Sequence, residues 1–248
     1  MQQAALAAAG IAADYLAVDL APPELPRLVE AAARLGLHGC NVTVPLKERV
    51  VPLCSKLTPT ARRLGAVNTV RVLPDGGWSG HNTDVGGIAE VLARLWPGTP
   101  SRALVCGAGG VARAAIAALA DDGWQVTVAA RPGPSRTRLT AWLSGDPPPV
   151  RPGTVRCRDW EPAGDGERYA LVVVAVAGGV DALPAVGPGG RKAVWLDLRY
   201  GGAAVSPPRE VMRWEDGRAV LVAQGERSFR WWHHREAPAG VMAAAVAE

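Results

Sequence analysis

The chain is short of the residues that mark several protein classes. Its four cysteines, Cys40, Cys54, Cys106 and Cys157, are far apart and form no C-x-x-C pair. That argues against a zinc site or a disulfide framework and suits a reducing, cytoplasmic compartment. No apolar run approaches the roughly 20 residues needed to cross a bilayer. Lysine is rare, and no lysine/arginine block of the kind that binds nucleic acid is present. The opening MQQAALAAAGIAADYLAVDL lacks the charged start and apolar core of a secretory leader. Its alanines predict a helix running into a strand at Tyr15–Leu20. No internal repeat is visible.

What is present is a composition able to bury real cores. Of 248 residues, 48% are hydrophobic and 20% charged, which allows one large domain or two modest ones. The net charge of +4 is thinly spread, and a mildly basic surface suits an anionic substrate or a phosphorylated cofactor. The first third alternates helix and strand: a helix near Glu24–Leu35, a strand at Gly39–Val44, and a helix Leu46–Cys54 opened by Pro45 in the first-turn position that proline favours. Strands follow at Ala66–Leu73 and Trp78–His81, then a helix from Val85 to Trp96 that Pro97-Gly98-Thr99-Pro100 breaks. Beyond the break, strands at Arg102–Cys106, Trp124–Ala130, Thr154–Cys157, Ala170–Ala175 and Lys192–Leu198 alternate with helices. This rhythm predicts an α/β protein with a parallel, doubly wound sheet. Ser144–Gly153 reads as a surface loop, and Gly217–Trp232 as a late helix with Gln224 in its middle.

Gly107-Ala108-Gly109-Gly110-Val111-Ala112 fits G-x-G-x-x-[GA] directly after a buried strand and at the start of a helix. The first glycine permits a tight turn, the second lets backbone approach a pyrophosphate, and the small Ala112 lets helix and strand sit close. Free N–H groups and the helix dipole at that end attract phosphate. Glycine turns are common between strands and helices, so the motif gains its weight from this context. An NAD site usually places an acid about twenty residues further on, at the end of the second strand. Here that strand ends Ala129-Ala130-Arg131, with Arg136 and Arg138 following. Guanidinium pairs with a 2′-phosphate where a carboxylate would repel it, so NADP is favoured over NAD. Most surface arginines are merely solvated, and these could be too.

Three earlier segments are dense in polar side chains: Asn41-Val42-Thr43-Val44-Pro45-Leu46-Lys47, Gly65-Ala66-Val67-Asn68-Thr69 and His81-Asn82-Thr83-Asp84. Thr43 and Lys47 flank a strand-to-helix junction. In the first turn of the expected helix, the dipole would disfavour a positive charge on Lys47 and favour proton exchange. Asp84 opens the next helix and could equally be its N-cap, while Asn68 could be a turn residue.

NVTVPLKE, GAVNT, HNTD and CGAGGVA, in this order and spacing, closely resemble the shikimate dehydrogenase family, and the likeness runs along the whole chain. The resemblance implies a substrate domain with a mixed α/β sheet, formed by residues 1–84 and 221–248. A Rossmann-type NADP domain over 85–220 would sit between those segments, with the active site in the cleft. It implies Lys47 and Asp84 as the catalytic pair, and Thr43, Asn68, Asp84, Tyr200 and Gln224 as substrate contacts. Gly107, Ala108, Gly109, Gly110, Val111, Ala130, Arg131, Arg136, Leu198 and Gly217 fall where the family binds cofactor. The implied reaction is reversible, NADPH-dependent reduction of 3-dehydroshikimate to shikimate, a step toward aromatic amino acids. The implied protein is a monomer or homodimer with a small-molecule substrate and no metal, nucleic acid or membrane partner.

Three positions depart from the family pattern. Met1 aligns just past an S-x-S-P motif whose serines hold the substrate carboxylate in the family. Val174-Ala175-Val176-Ala177 stands for N-A-T-S, and Ala130-Arg131-Pro132 for N-R-T, which together imply weaker NADP affinity or a looser cofactor preference. A quinate- or amino-shikimate-type dehydrogenase is the neighbouring alternative. A nucleotide-binding relative without chemistry is the other; Lys47, Asp84, Asn68 and Gln224 together favour the enzyme, because a non-catalytic domain has no need of all four.

Overall fold

A computed structural model describes residues 1–160, 167–176, 193–200 and 211–247. The chain divides into two compact units, Met1–Asp84 with Val222–Glu248, and Val85–Leu221.

The first unit opens with α1 (Gln2–Ala8) and α2 (Leu25–Ala31), followed by β1 (Gly39–Asn41), β2 (Lys56–Leu57), α3 (Pro59–Leu64), β3 (Thr69–Val72) and β4 (Trp78–His81). The strands form a mixed sheet in the order β1-β3-β4-β2, antiparallel except for β2 against β4. Leu25, Val42, Val50, Val67, Val70 and Trp78 form its core. Each such aliphatic side chain contributes about 1.5–3 kcal/mol relative to exposure. The register Thr69↔His81 and Asn41↔Thr69 sets Asn41, Thr69 and His81 abreast across three strands.

Two expectations fail in this unit. Tyr15–Leu20 is not a strand. Leu16 and Val18 are exposed, and the Tyr15 N–H is satisfied by the Gln3 side chain at 2.6 Å instead of by a ladder. Leu46–Cys54 is not an α-helix but a run of turns ending in a short 3₁₀ segment, Val51–Leu53. In a helix the Lys47 carbonyl would accept from Val51; here it accepts from Val67 at 2.8 Å, and the Val51 N–H turns to Glu48. Pro52 also lacks the N–H that would continue the ladder. The dipole invoked for Lys47 therefore has no source. The strand expected over Gly39–Val44 is likewise shorter, ending at Asn41.

The second unit is built from α4 (Asp84–Leu95), β5 (Arg102–Cys106), α5 (Gly110–Asp121), β6 (Gln125–Ala130), α6 (Pro134–Leu143), β7 (Val155–Asp159), β8 (Leu171–Val174), β9 (Ala193–Asp197) and β10 (Val211–Asp216). All six strands are parallel, in the order β10-β9-β8-β5-β6-β7. Numbered from its own first strand, this is 3-2-1-4-5-6, the dinucleotide-binding order, with its switch point between β5 and β8. β8 is Leu171-Val172-Val173-Val174, buried at every position as both-sided coverage requires. The chain then returns to the first unit through α7 (Gly217–His233) and ends with α8 (Val241–Ala247). Phe229 and Met242 pack there with Ala5 and Leu6 of α1. Among the described residues no helix is long and apolar enough to cross a membrane.

Candidate functional site

The polar segments of the first unit converge on one ion pair. The Lys47 Nζ donates to Asp84 Oδ2 at 2.8 Å, with side-chain exposures of 17% and 8%. The other carboxylate oxygen, Oδ1, accepts from Asn68 Nδ2 at 2.8 Å. Asp84 is therefore not its helix's cap: Asn82 Oδ1 accepts the Asp84 N–H at 3.0 Å, while Asn82 Nδ2 ties the turn to the Ala66 carbonyl. Both carboxylate oxygens are left to face side chains.

Asn68 is the hub. Its Oδ1 accepts the Thr83 N–H at 2.9 Å. A backbone N–H can only donate, which fixes the amide's orientation and turns Nδ2 toward Asp84. Nδ2 also reaches Thr83 Oγ1 at 2.9 Å and Gln224 Oε1 at 3.3 Å. An amide has two hydrogens, so the Gln224 contact is the weakest of the three. Lys47 is held from behind by its carbonyl's bond to Val67, adjacent to Asn68.

Behind these groups lies a layer that the sequence reading missed. Ser228 is fully buried, and its Oγ lies 2.8 Å from Thr69 Oγ1, 3.2 Å from Thr83 Oγ1 and 3.2 Å from Asn41 Nδ2. Asn41 in turn accepts from the Tyr15 hydroxyl at 2.7 Å. Burial, then the neighbouring Cys40, push the Tyr15 phenol up to about 12, against a smaller lowering from its contact with Asn41, so it stays a neutral donor. Thr69 and Thr83 sit inside segments already singled out. Ser228 had a legible signal too, since it follows Gln224 by four residues and so shares its helix face.

Of the residues expected to contact substrate, Asn68, Asp84 and Gln224 are brought together with Lys47. Thr43 is exposed beside them in sequence, and its carbonyl accepts from Leu46 at 2.8 Å. Tyr200 is 51% exposed and lies in the second unit. Among the described residues no group of His, Cys, Asp and Glu could hold a metal ion.

The second unit carries the glycine turn at the switch point of its sheet. Gly107 follows β5 with φ 129°, and its N–H bonds the Ala129 carbonyl at 2.9 Å. A Cβ there would stand 2.4 Å from the carbonyl oxygen of Ala175, just past β8, so only glycine fits. Gly109 caps α5 and Gly110 is its first residue; a Cβ on either would meet nothing within 4 Å. The turn is thus closed on the sheet side and open at the helix N-terminus, where orphan N–H groups can take a pyrophosphate. Ala108 and Val111 are partly exposed beside it, while Ala112 is buried against the sheet.

Other expected cofactor positions follow at the strand ends. Leu198 lies just past β9, its N–H bonded to Val174 at 2.9 Å. Gly217 must be glycine because a Cβ would meet the Leu198 carbonyl oxygen at 2.4 Å. Ala130 is buried at the end of β6. The exposed Arg131 stacks over Trp160, guanidinium carbon 5.6 Å from the ring centroid. Arg136, in the first turn of α6, pairs with Asp159. It lines an open groove of about 580 Å³ with Pro132, Gly133, Thr137, Thr140 and Ala141. Val176 is described; Ala177, where the family pattern has its last serine, lies outside the described residues.

Known proteins resemble this chain along its length. A family model described as "Shikimate dehydrogenase substrate binding domain" matches residues 1–70, and one described as "Shikimate 5'-dehydrogenase C-terminal domain" matches residues 217–247. A protein of Anaeromyxobacter sp. (strain Fw109-5) named shikimate dehydrogenase (NADP(+)) is 39% identical over 253 residues, covering 100% of this chain and 90% of that protein. The crystal structure of shikimate dehydrogenase from Aquifex aeolicus superposes with a TM-score of 0.83 at 28% identity, covering 100% of this chain and 91% of that one. The shikimate 5-dehydrogenase of Thermus thermophilus in complex with NADP(H) and shikimate gives 0.77 at 27% identity, covering 98% and 90%.

Proposed function

Since the chain belongs to the shikimate dehydrogenase family, we propose that it catalyses the reversible, NADPH-dependent reduction of 3-dehydroshikimate to shikimate in the cytoplasm. The observation that carries this reading is the Lys47–Asp84–Asn68 cluster, two 2.8 Å bonds meeting on one carboxylate.

Bound nicotinamide supplies the hydride. The chain's own residues handle the proton and the pose. Lys47 donates a proton to the carbonyl oxygen as it becomes a hydroxyl, and takes it back in the oxidative direction. Such assistance is worth about 10² to 10⁴ in rate. Asp84 keeps the ammonium aimed and accepts from a substrate hydroxyl. Asn68 locks the carboxylate through Oδ1, leaving Oδ2 for Lys47. Gln224 and the exposed Thr43 and Tyr200 are assigned to the remaining substrate polar groups. The open helix N-terminus at Gly109–Gly110, with Ala108, Val111, Ala130, Leu198 and Gly217 around the strand ends, fits a dinucleotide. Arg131 and Arg136, just past the end of β6 and in the first turn of α6, are assigned to its 2′-phosphate, in keeping with NADP.

The test is oxidation of shikimate by the purified chain, followed through NADPH absorbance, with quinate and NAD⁺ in parallel. Turnover is expected with shikimate and NADP⁺, faster than with quinate or NAD⁺. No turnover with any of the four combinations refutes the enzyme reading. Faster turnover with quinate moves the substrate assignment within the family.

A further inference from the structure

The end of β6 carries no acid, yet a carboxylate stands beside it. β6 and β7 are parallel and in register, pairing Ala130 with Asp159, so the last residue of β7 is level with the last residue of β6. Asp159 thereby brings a negative charge, from one strand over, to the strand end where a dinucleotide's ribose 2′ group is read. Its partner there is Arg136, whose Nη1 lies against Asp159 Oδ1 and 3.5 Å from the Ala130 carbonyl. The Asp159 side chain is 65% exposed and that of Arg136 27%. The next residue, Trp160, holds Arg131. Both guanidiniums expected at a 2′-phosphate are thus engaged by consecutive residues at the end of β7.

We propose that Asp159 is a specificity-determining residue for the cofactor: by pairing with Arg136 it competes with the 2′-phosphate of NADP⁺ and so sets the margin of preference over NAD⁺. This rests on the NADP reading of the second unit. A 2′-phosphate brings close to two negative charges to a point already holding a carboxylate, and must share Arg136 with it. NAD⁺ brings only a hydroxyl, which a carboxylate can accept, and leaves the ion pair whole. Because Asp159 is mostly solvated, the competition is modest.

Asp159→Asn removes the charge and keeps the shape. Equilibrium binding of NADP⁺, NAD⁺ and 2′,5′-ADP to the full chain, by calorimetry at one fixed ionic strength, reads the effect without turnover. Binding of NADP⁺ and 2′,5′-ADP should tighten about three- to tenfold, as expected of one exposed like charge near a phosphate. NAD⁺ should be unchanged or weaker. In an Arg136→Ala background the gain should shrink, since the shared partner is gone. Wild-type binding of NADP⁺ with no gain in Asp159→Asn, or an equal gain for NAD⁺, overturns the role of Asp159 alone. A wild-type chain that binds neither nucleotide overturns the cofactor reading and this inference with it.

Discussion

Replacing Lys47 by arginine separates its charge from its proton. The ammonium is 2.8 Å from Asp84 Oδ2, and both side chains are largely buried. A guanidinium keeps the charge and can pair with the carboxylate, but it does not surrender a proton in a protein. Lys47→Arg should therefore hold unfolding free energy within about 1 kcal/mol of wild type while kcat falls about 10²- to 10⁴-fold. That loss corresponds to about 3–5 kcal/mol of activation free energy. Lys47→Met removes the charge as well. Asp84, 6% exposed, is then left with Asn68 Nδ2 at 2.8 Å as its remaining side-chain donor among the contacts described above. Stripping one partner from a fully buried pair costs about 3–5 kcal/mol. Here the residual amide bond and the partial exposure of Lys47 bring the expected cost to about 1–3 kcal/mol. Shikimate oxidation and urea unfolding, measured on both variants, give the two numbers independently. If Lys47→Arg retains activity within about threefold of wild type, Lys47 acts as a fixed charge and the proton-transfer assignment is wrong.

Further outcomes follow from the surrounding structure. Gly107→Ala places a methyl 2.4 Å from the Ala175 carbonyl oxygen at φ 129°; it should cost roughly 2 kcal/mol or more in stability and weaken dinucleotide binding, read by thermal unfolding with and without NADP⁺. Ser228→Ala should lower stability by about 1–3 kcal/mol, because Thr69, Thr83 and Asn41 lose a buried partner; chemical denaturation with an unchanged m-value would confirm it. Burial, with the nearby Arg227 adding to it, lowers the pKa of His81 from its ordinary 6.5. The unfolded chain then binds more protons than the folded one below that value, so this contribution is complete above about pH 6.5 and is lost as pH falls toward the folded pKa. His81→Gln should flatten the acid limb of the stability profile relative to wild type, and an identical limb in both would refute the assignment.

Much of the second unit was legible in the linear sequence because its signals are local. β5 coincides with the predicted Arg102–Cys106, and the turn after it declares itself through closely spaced glycines, the first of which, Gly107, takes φ 129°. The late helix predicted at Gly217–Trp232 is α7, one residue longer, and carries Gln224 as expected. Around Lys47 the same local logic misled. Pro45 reads as a helix start, but the Lys47 carbonyl is claimed by the N–H of Val67, twenty positions on, and that bond forms only when the sheet assembles. Whether Asp84 caps a helix or faces Lys47 was likewise undecidable from its neighbours. Asn82 accepts the Asp84 N–H from two residues away, but the carboxylate is oriented by Asn68, sixteen residues back and before β3. Ser228 joined the cluster for the same reason, and so did Asp159 its arginine, supplying laterally from β7 the acid that the end of β6 lacks. Sequence alone determined which chemical groups the chain carries and where most of the second unit's regular elements begin, because propensity and turn geometry act over a few residues. Which of those groups meet, and which hydrogen bond each one keeps, was decided by tertiary pairing, because a donor has only as many partners as the fold brings within about 3 Å.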